Sequence, residues 1–203
     1  MHISWLGSTF IRLQTKNVDK DVTILIDPYK ATVGNSPRSL TPDIVLFTRG
    51  ESDSVTLSGK PFILSAPGEC ETSGVLMSAS QGRDKNETIV RIDAEDISLA
   101  HLGLISSMPS NSALDVISGS DILFVPVGAK SALSIETAMK IISIVEPRIV
   151  IPMAFKSDND PKATTADAFI KEMGTTAEPE TKVIVKKKDL PQEEPRVILL
   201  AKE

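Results

Sequence analysis

The sequence predicts an α/β protein built in stacked layers, with sheets inside and helices outside. Three observations predict it. The first half breaks into short β-prone runs separated by turns. The apolar period changes in the second half, where helical spacing appears between further strands. The balance of 41% hydrophobic and 24% charged residues is that of a chain able to bury a core. The 203 residues fit one domain, 1–203.

The elements follow in order. His2 to Leu6 and Thr9 to Gln14 are β-prone pieces split by Gly7, as in a hairpin. Val22 to Ile26, Ile44 to Phe47 and Phe62 to Leu64 are continuous apolar runs, the pattern of strands buried on both faces. Gly74 to Ser78, Thr88 to Ile92 and Ile97 to His101 are further strands, and Asp121 to Val127 is the next. Ser134 then reads as a helix N-cap with Glu136 in the first turn. Ile135, Ala138, Met139, Ile142 and Val145 recur at the spacing of one buried helix face, and Pro147 ends it. Arg148 to Pro152 is a strand. Thr164 or Thr165 caps a second helix that Gly174 closes, and Lys182 to Val185 and Arg196 to Leu200 supply two last strands. Loops fall at 30–42, 81–86 and 156–163.

Charge and composition weigh against several functions. A net charge of −5 argues against a dedicated nucleic-acid binder, which needs clustered cations for phosphates. The basic run Lys186-Lys187-Lys188 reads as a solvated turn, since Asp189, Glu193 and Glu194 follow it. A single cysteine, Cys70, makes neither an intrachain disulfide nor a cysteine-only zinc cluster. No apolar run reaches the roughly 20 residues of a membrane helix, and no secretory signal opens the chain, so a cytoplasmic protein without a membrane partner is expected.

Few residues offer chemistry. His2 and His101 are the only histidines, with no H-x-H or H-x-x-x-H spacing. His2 reads as a surface residue and His101 as a hydrogen-bonded structural one. Cys70 could act as a nucleophile with His101 as base, against the plainer reading of a small half-buried apolar side chain. Ser8 beside Gly7 lacks the G-x-S-x-G elbow of a serine hydrolase. The acidic residues Glu51, Asp53 and Asp27, with Glu69 or Glu71, could bind a hard cation through oxygen.

A family resemblance runs through nearly the whole chain. Thr48-Arg49-Gly50-Glu51-Ser52-Asp53-Ser54 follows a buried strand, as the metallo-β-lactamase signature H-x-H-x-D-H does. Trp5 to Phe10 resembles the family's opening W-x-G-H-S-x-F, with Ser8 for the histidine. Leu25-Ile26-Asp27-Pro28 resembles its D-P strand end, and Ala66 to Val75 its P-G-E-Y-E-x-x-G-V. His101-Leu102-Gly103-Leu104 resembles H-L-G-D, Asp121 to Gly128 resembles D-I-L-L-V-P-V-G-G, and Ile149 to Lys156 resembles I-V-I-P-M-H-Y-K. The chain is most similar to the branch of zinc-dependent hydrolases related to ascorbate-6-phosphate lactonase.

The resemblance implies a four-layer αβ/βα sandwich of two mixed sheets, with a cleft at Ser8, Asp27, Arg49, Glu51, Asp53, Ser54, Leu104 and Ala154. It also implies zinc, for which this chain lacks the ligands. Arg49, Glu51, Ser54, Leu104 and Ala154 stand at ligand positions. Leu104 and Ala154 carry no lone pair, and Arg49 is permanently cationic and repels a divalent ion. The expectation is a non-catalytic binding or assembly module without bound zinc, in which Arg49 pairs with Asp27, Glu51 or Asp53 or takes a small anionic ligand. The alternative is a metal-dependent hydrolase of phosphorylated lactones or phosphodiesters, with Glu51 and Asp53 as candidate catalytic residues. Relatives often associate, so a homo-oligomer is expected.

Overall fold

A computed structural model describes residues 1–17 and 20–203. The chain opens with β1 (His2–Gly7), β2 (Phe10–Asn17) and β3 (Lys20–Ile26), followed by β4 (Ser39–Leu40), β5 (Ile44–Leu46), β6 (Thr56–Leu57) and β7 (Phe62–Leu64). A run of four strands comes next: β8 (Gly68–Thr72), β9 (Val75–Gln81), β10 (Thr88–Ala94) and β11 (Ile97–His101). The second half alternates α1 (Asn111–Ile117), β12 (Ile122–Pro126), α2 (Ile135–Val145), β13 (Ile149–Met153) and α3 (Asp167–Glu172), then β14 (Val183–Ile184), a 3₁₀ turn at Lys187–Asp189 and β15 (Arg196–Val197).

Two mixed sheets result, as expected. The first has the order β14-β1-β2-β3-β5-β7 and the second β15-β13-β12-β11-β10-β9-β8. β12 and β13 are buried at every position and pair in parallel, the setting in which a strand reads as an unbroken apolar run. In β3 the alternation of side chains divides two cores. Ile24 and Ile26 join the main cluster between the sheets, whereas Leu25 joins Leu6, Phe10 and Val55 in a second one. Leu40 and Leu57, from the small β4–β6 pair, pack on that second cluster. The β4–β6 pair and Val55 thus cover this outer part of the first sheet. α1 packs across β9 and β10, and α2 lies between α1 and α3.

Several expectations need correcting. β8 lies within the segment Ala66 to Val75, where the sequence marks no strand before Gly74, and its five residues pair antiparallel with β9. It is an edge strand and half exposed, so no apolar pattern marks it. α1 has no long periodic stretch. Its signal is local: Ser110 caps it by accepting a bond from the Ala113 amide. α2 starts after Ser134 as expected, the Ser134 hydroxyl accepting from the Thr137 amide. α3 starts later than expected. Its N-cap is Ala166, without a side-chain bond, while Thr165 bonds the Asp167 carboxylate. The basic run is not wholly solvated, because Lys187 reaches the buried Asp121 at 2.9 Å.

Candidate functional site

The turn between β1 and β2 and the ends of β3 and β5 meet at one end of the first sheet. A cleft of about 430 Å³ opens there. Ser8, Asp27, Arg49 and Asp53 line it, so the structure brings four of the expected residues together. Four others do not line it. Glu51 accepts a bond from the Ser65 hydroxyl at 2.6 Å. Ser54 pairs with Tyr29 in an isolated bridge. Leu104 is half-buried beyond β11, and Ala154 is fully buried after β13. Tyr29, Lys30, Asn159 and Asp160 also line the cleft, and no sequence signal marked them.

The backbone here is unusual. Ser8, Asp27, Asp53 and Ala154 all have φ between 49° and 58°, the left-handed region that non-glycine residues rarely occupy. Each such residue costs on the order of 1 kcal/mol or more and persists only where its surroundings fix it. The fixing is visible. The Ser8 carbonyl accepts from the Trp5 indole at 2.7 Å and from the Ala154 amide at 2.9 Å. Trp5 in turn packs on Phe155, their ring centres 4.4 Å apart.

Asp27 forms the floor. It is fully buried, and its two carboxylate oxygens accept from the Thr48 amide at 2.7 Å and the Thr48 hydroxyl at 2.6 Å. Gly103 leaves room for that hydroxyl, since a Cβ there would stand 2.7 Å from it. His101 is the adjacent buried group. One ring nitrogen, Nδ1, accepts from the Gly103 amide at 3.1 Å, which leaves Nε2 to donate to the Thr9 carbonyl at 3.0 Å. This is a neutral imidazole with both nitrogens engaged. Burial and the Arg49 charge hold its pKa below the ordinary value, against the opposing pull of Asp27 and the Thr9 bond.

Arg49 does not form the expected ion pair. Among the described residues no carboxylate oxygen lies within 4.0 Å of its guanidinium nitrogens. Instead the guanidinium stacks 4.6 Å from the centre of the Tyr29 ring and donates to the Thr9 hydroxyl at 3.2 Å. Tyr29 anchors the same residue again: its hydroxyl accepts from the Arg49 amide at 3.0 Å and donates to the Gly50 carbonyl at 2.9 Å. Burial and the Asp27 charge push the Tyr29 hydroxyl well above its ordinary range, so it stays a donor.

The Cys70–His101 pairing does not exist. β8 lies three strands from β11, roughly 14 Å at ordinary strand spacing. His101 has no nitrogen free to act as base, and burial followed by the Glu69 charge raises the Cys70 thiol.

A family model described as a beta-lactamase superfamily domain matches residues 2–154. The chain belongs to the metallo-β-lactamase superfamily. A UPF0173 protein of Pyrococcus abyssi is 28% identical over 186 residues, covering 76% of this chain and 83% of that one. A Thermotoga maritima protein of the metallo-β-lactamase superfamily has a similar fold, with TM-score 0.82, 20% identity and coverage of 98% and 97% of the two chains. YhfI from Bacillus subtilis, described as a metallo-β-lactamase fold protein, has TM-score 0.63 at 10% identity and covers 99% of this chain and 96% of its own. Zinc is the metal the superfamily resemblance implies, and the residues at its ligand positions do not fit it. Ala154 and Leu104 have no side-chain donor atom, Arg49 is a cation, and Glu51 bonds the Ser65 hydroxyl away from the cleft. Among the described residues no three His, Cys, Asp or Glu side chains gather around one point. No helix among them is long and apolar enough to cross a membrane.

Proposed function

We propose that this superfamily member is a binding or assembly module without hydrolytic chemistry, whose cleft receives the anionic end of a small ligand at Arg49. The observation that carries the reading is the state of Arg49. A histidine position of the family signature holds a guanidinium fixed by Tyr29 and Thr9, with no carboxylate against it. A held but unpaired guanidinium keeps free N–H groups for a carboxylate or phosphate.

The backbone adds support. Ala154 keeps a strained left-handed conformation although its methyl group can ligate nothing. The framework of a site persists here with different side chains in it.

The test uses inorganic phosphate as probe. Phosphate is expected to raise the melting temperature of the native chain, and Arg49→Ala to abolish that rise. Elemental analysis of protein purified without chelators is expected to find no stoichiometric metal. The reading fails if a metal binds one-to-one and Glu51→Ala or Asp53→Ala removes it. That result would make a metal-dependent hydrolase built on oxygen ligands the working reading, to be tested for activity.

A further inference from the structure

We infer that residues 31–38 form a flap along one wall of the cleft, latched at Asn35 by Lys202 and Asp158. The inference rests on the anion reading above for its link to a ligand, and names the part of the chain that regulates that site. It starts from a shortage of ties. The stretch runs between two fixed points, the Lys30 amide bonded to the Asp53 carbonyl and Ser39 paired in β4. Between them, among the described residues, no main-chain group bonds another main-chain group. Much of the stretch is exposed, Val33 at 50%. A segment with few bonds and little burial opens at low cost. Ala31 and Thr32, at its start, line the cleft.

The ties that do exist fall on Asn35. Its amide donates to the Asp158 carboxylate at 2.8 Å, and its carbonyl accepts from the Lys202 ammonium at 2.6 Å. Lys202 and Asp158 pair with each other at 2.7 Å, which closes the triangle. Both are anchored independently of the flap. Lys202 pairs with Trp5 in an isolated bridge, and the Glu203 amide donates to the Trp5 carbonyl at 3.0 Å. Asp158 sits in a turn closed by Ser157 and Asp160, and the Asn159 side chain donates to the Leu6 carbonyl at 3.2 Å. The Lys202 side chain is only 11% exposed, so water screens this pair less than it screens a surface one. Close approach completes the latch. A Cβ at Gly34 would stand 2.5 Å from the Asp158 carbonyl oxygen, and φ there is 76°. Glycine is what lets the flap lie against the opposite loop. Asn159 and Asp160 of that loop line the cleft as well. The latch therefore ties two walls of the cleft together, and a cleft with fixed walls loses less freedom when a ligand binds.

The experiment is limited trypsin digestion of the native full-length chain, Lys202→Met and Gly34→Ala, read at Lys30 and Arg38, the basic residues that bound the flap. Cleavage there is expected to rise about fivefold in Lys202→Met. Gly34→Ala keeps both charges and is expected to raise it at least as much. Phosphate titration of the same proteins is the second readout, and both variants are expected to bind it more weakly than the native chain. Flap cleavage at the native rate in either variant would overturn the latch. So would cleavage raised throughout the chain, which would make these residues part of the general framework. Faster flap cleavage with phosphate affinity unchanged would overturn the link to the cleft and leave the anion reading standing. A released flap in both variants with no phosphate response in the native chain would overturn the anion reading and leave the latch.

Discussion

Two buried carboxylates sit at opposite ends of the sandwich, and they are satisfied in different ways. Asp121, at the start of β12, accepts from the Ser98 amide and hydroxyl and meets Lys187 at 2.9 Å and Arg148 at 3.6 Å. Burial pushes its pKa up, but the Ser98 bonds and Lys187 outweigh that and hold it below the usual value. Asp27, at the end of β3, has only Thr48, and the cation beside it in the cleft leans on Tyr29 instead. The Asp121 centre is complete within the chain. At the Asp27 centre no carboxylate among the described residues pairs with the Arg49 guanidinium, and the proposed anion site is placed there for that reason.

The comparison breaks first at the carboxylates. Asp27→Ala strands the buried Thr48 amide and hydroxyl, at a cost of about 3 kcal/mol. Chemical denaturation measures it, and a loss under about 1 kcal/mol would mean that Asp27 is not part of the framework. Asp121→Ala also strands buried Ser98 donors, but it frees Lys187 and Arg148, which stand partly in solvent. About 2 kcal/mol is expected there.

A smaller effect comes from His101, which lies beneath the cleft with no counterpart near Asp121. Its folded pKa is depressed. The unfolded chain therefore binds more protons than the folded one as pH falls below the unfolded value of about 6.5. Stability is full above that value and declines below it, by up to about 1.4 kcal/mol for each pH unit. Asp43, Glu95 and Asp121 have lowered folded pKa values, and their losses begin only near the ordinary carboxylate range of about 4. Denaturation midpoints between pH 4.5 and 6.5, roughly, isolate the histidine. His101→Gln, which offers a donor and an acceptor without titrating, should flatten that window. An unchanged slope would place its origin elsewhere.

Sequence carried most of the architecture and four of the residues that line the cleft, and missed the cleft's other contents for a physical reason. Continuous apolar runs such as Ile122–Pro126 can be read because burial on both faces leaves no choice of residue. The site's place could be read because Asp27-Pro28 and the segment from Arg49 to Ser54 keep the family's spacing. Partners are another matter. Opposite charge suggested that Arg49 would pair with an acid, yet the preferred contact is an aromatic face contributed by a residue twenty positions earlier. Glu51 sits two residues from Arg49 and turns to Ser65. Asn159 and Asp160 come from a distant loop, and composition alone does not say which wall a loop will form.

The smallest stability effect separates the two centres most sharply. Lys187 and Arg49 are both exposed cations beside a buried aspartate. Replacing an exposed cation by alanine changes stability by about 0.5 kcal/mol or less, because water screens the charge. Lys187→Ala should fall at the upper end of that range, since it removes a direct partner of Asp121, and should leave the response to phosphate unchanged. Arg49→Ala removes no ion pair, only a stack on Tyr29 and a bond to Thr9. It should unfold at nearly the native midpoint while losing the phosphate response altogether. If Arg49→Ala instead destabilises by more than about 2 kcal/mol, well beyond what a solvated cation contributes, the guanidinium belongs to the framework as Lys187 does, and the contrast between a closed centre and an open one disappears.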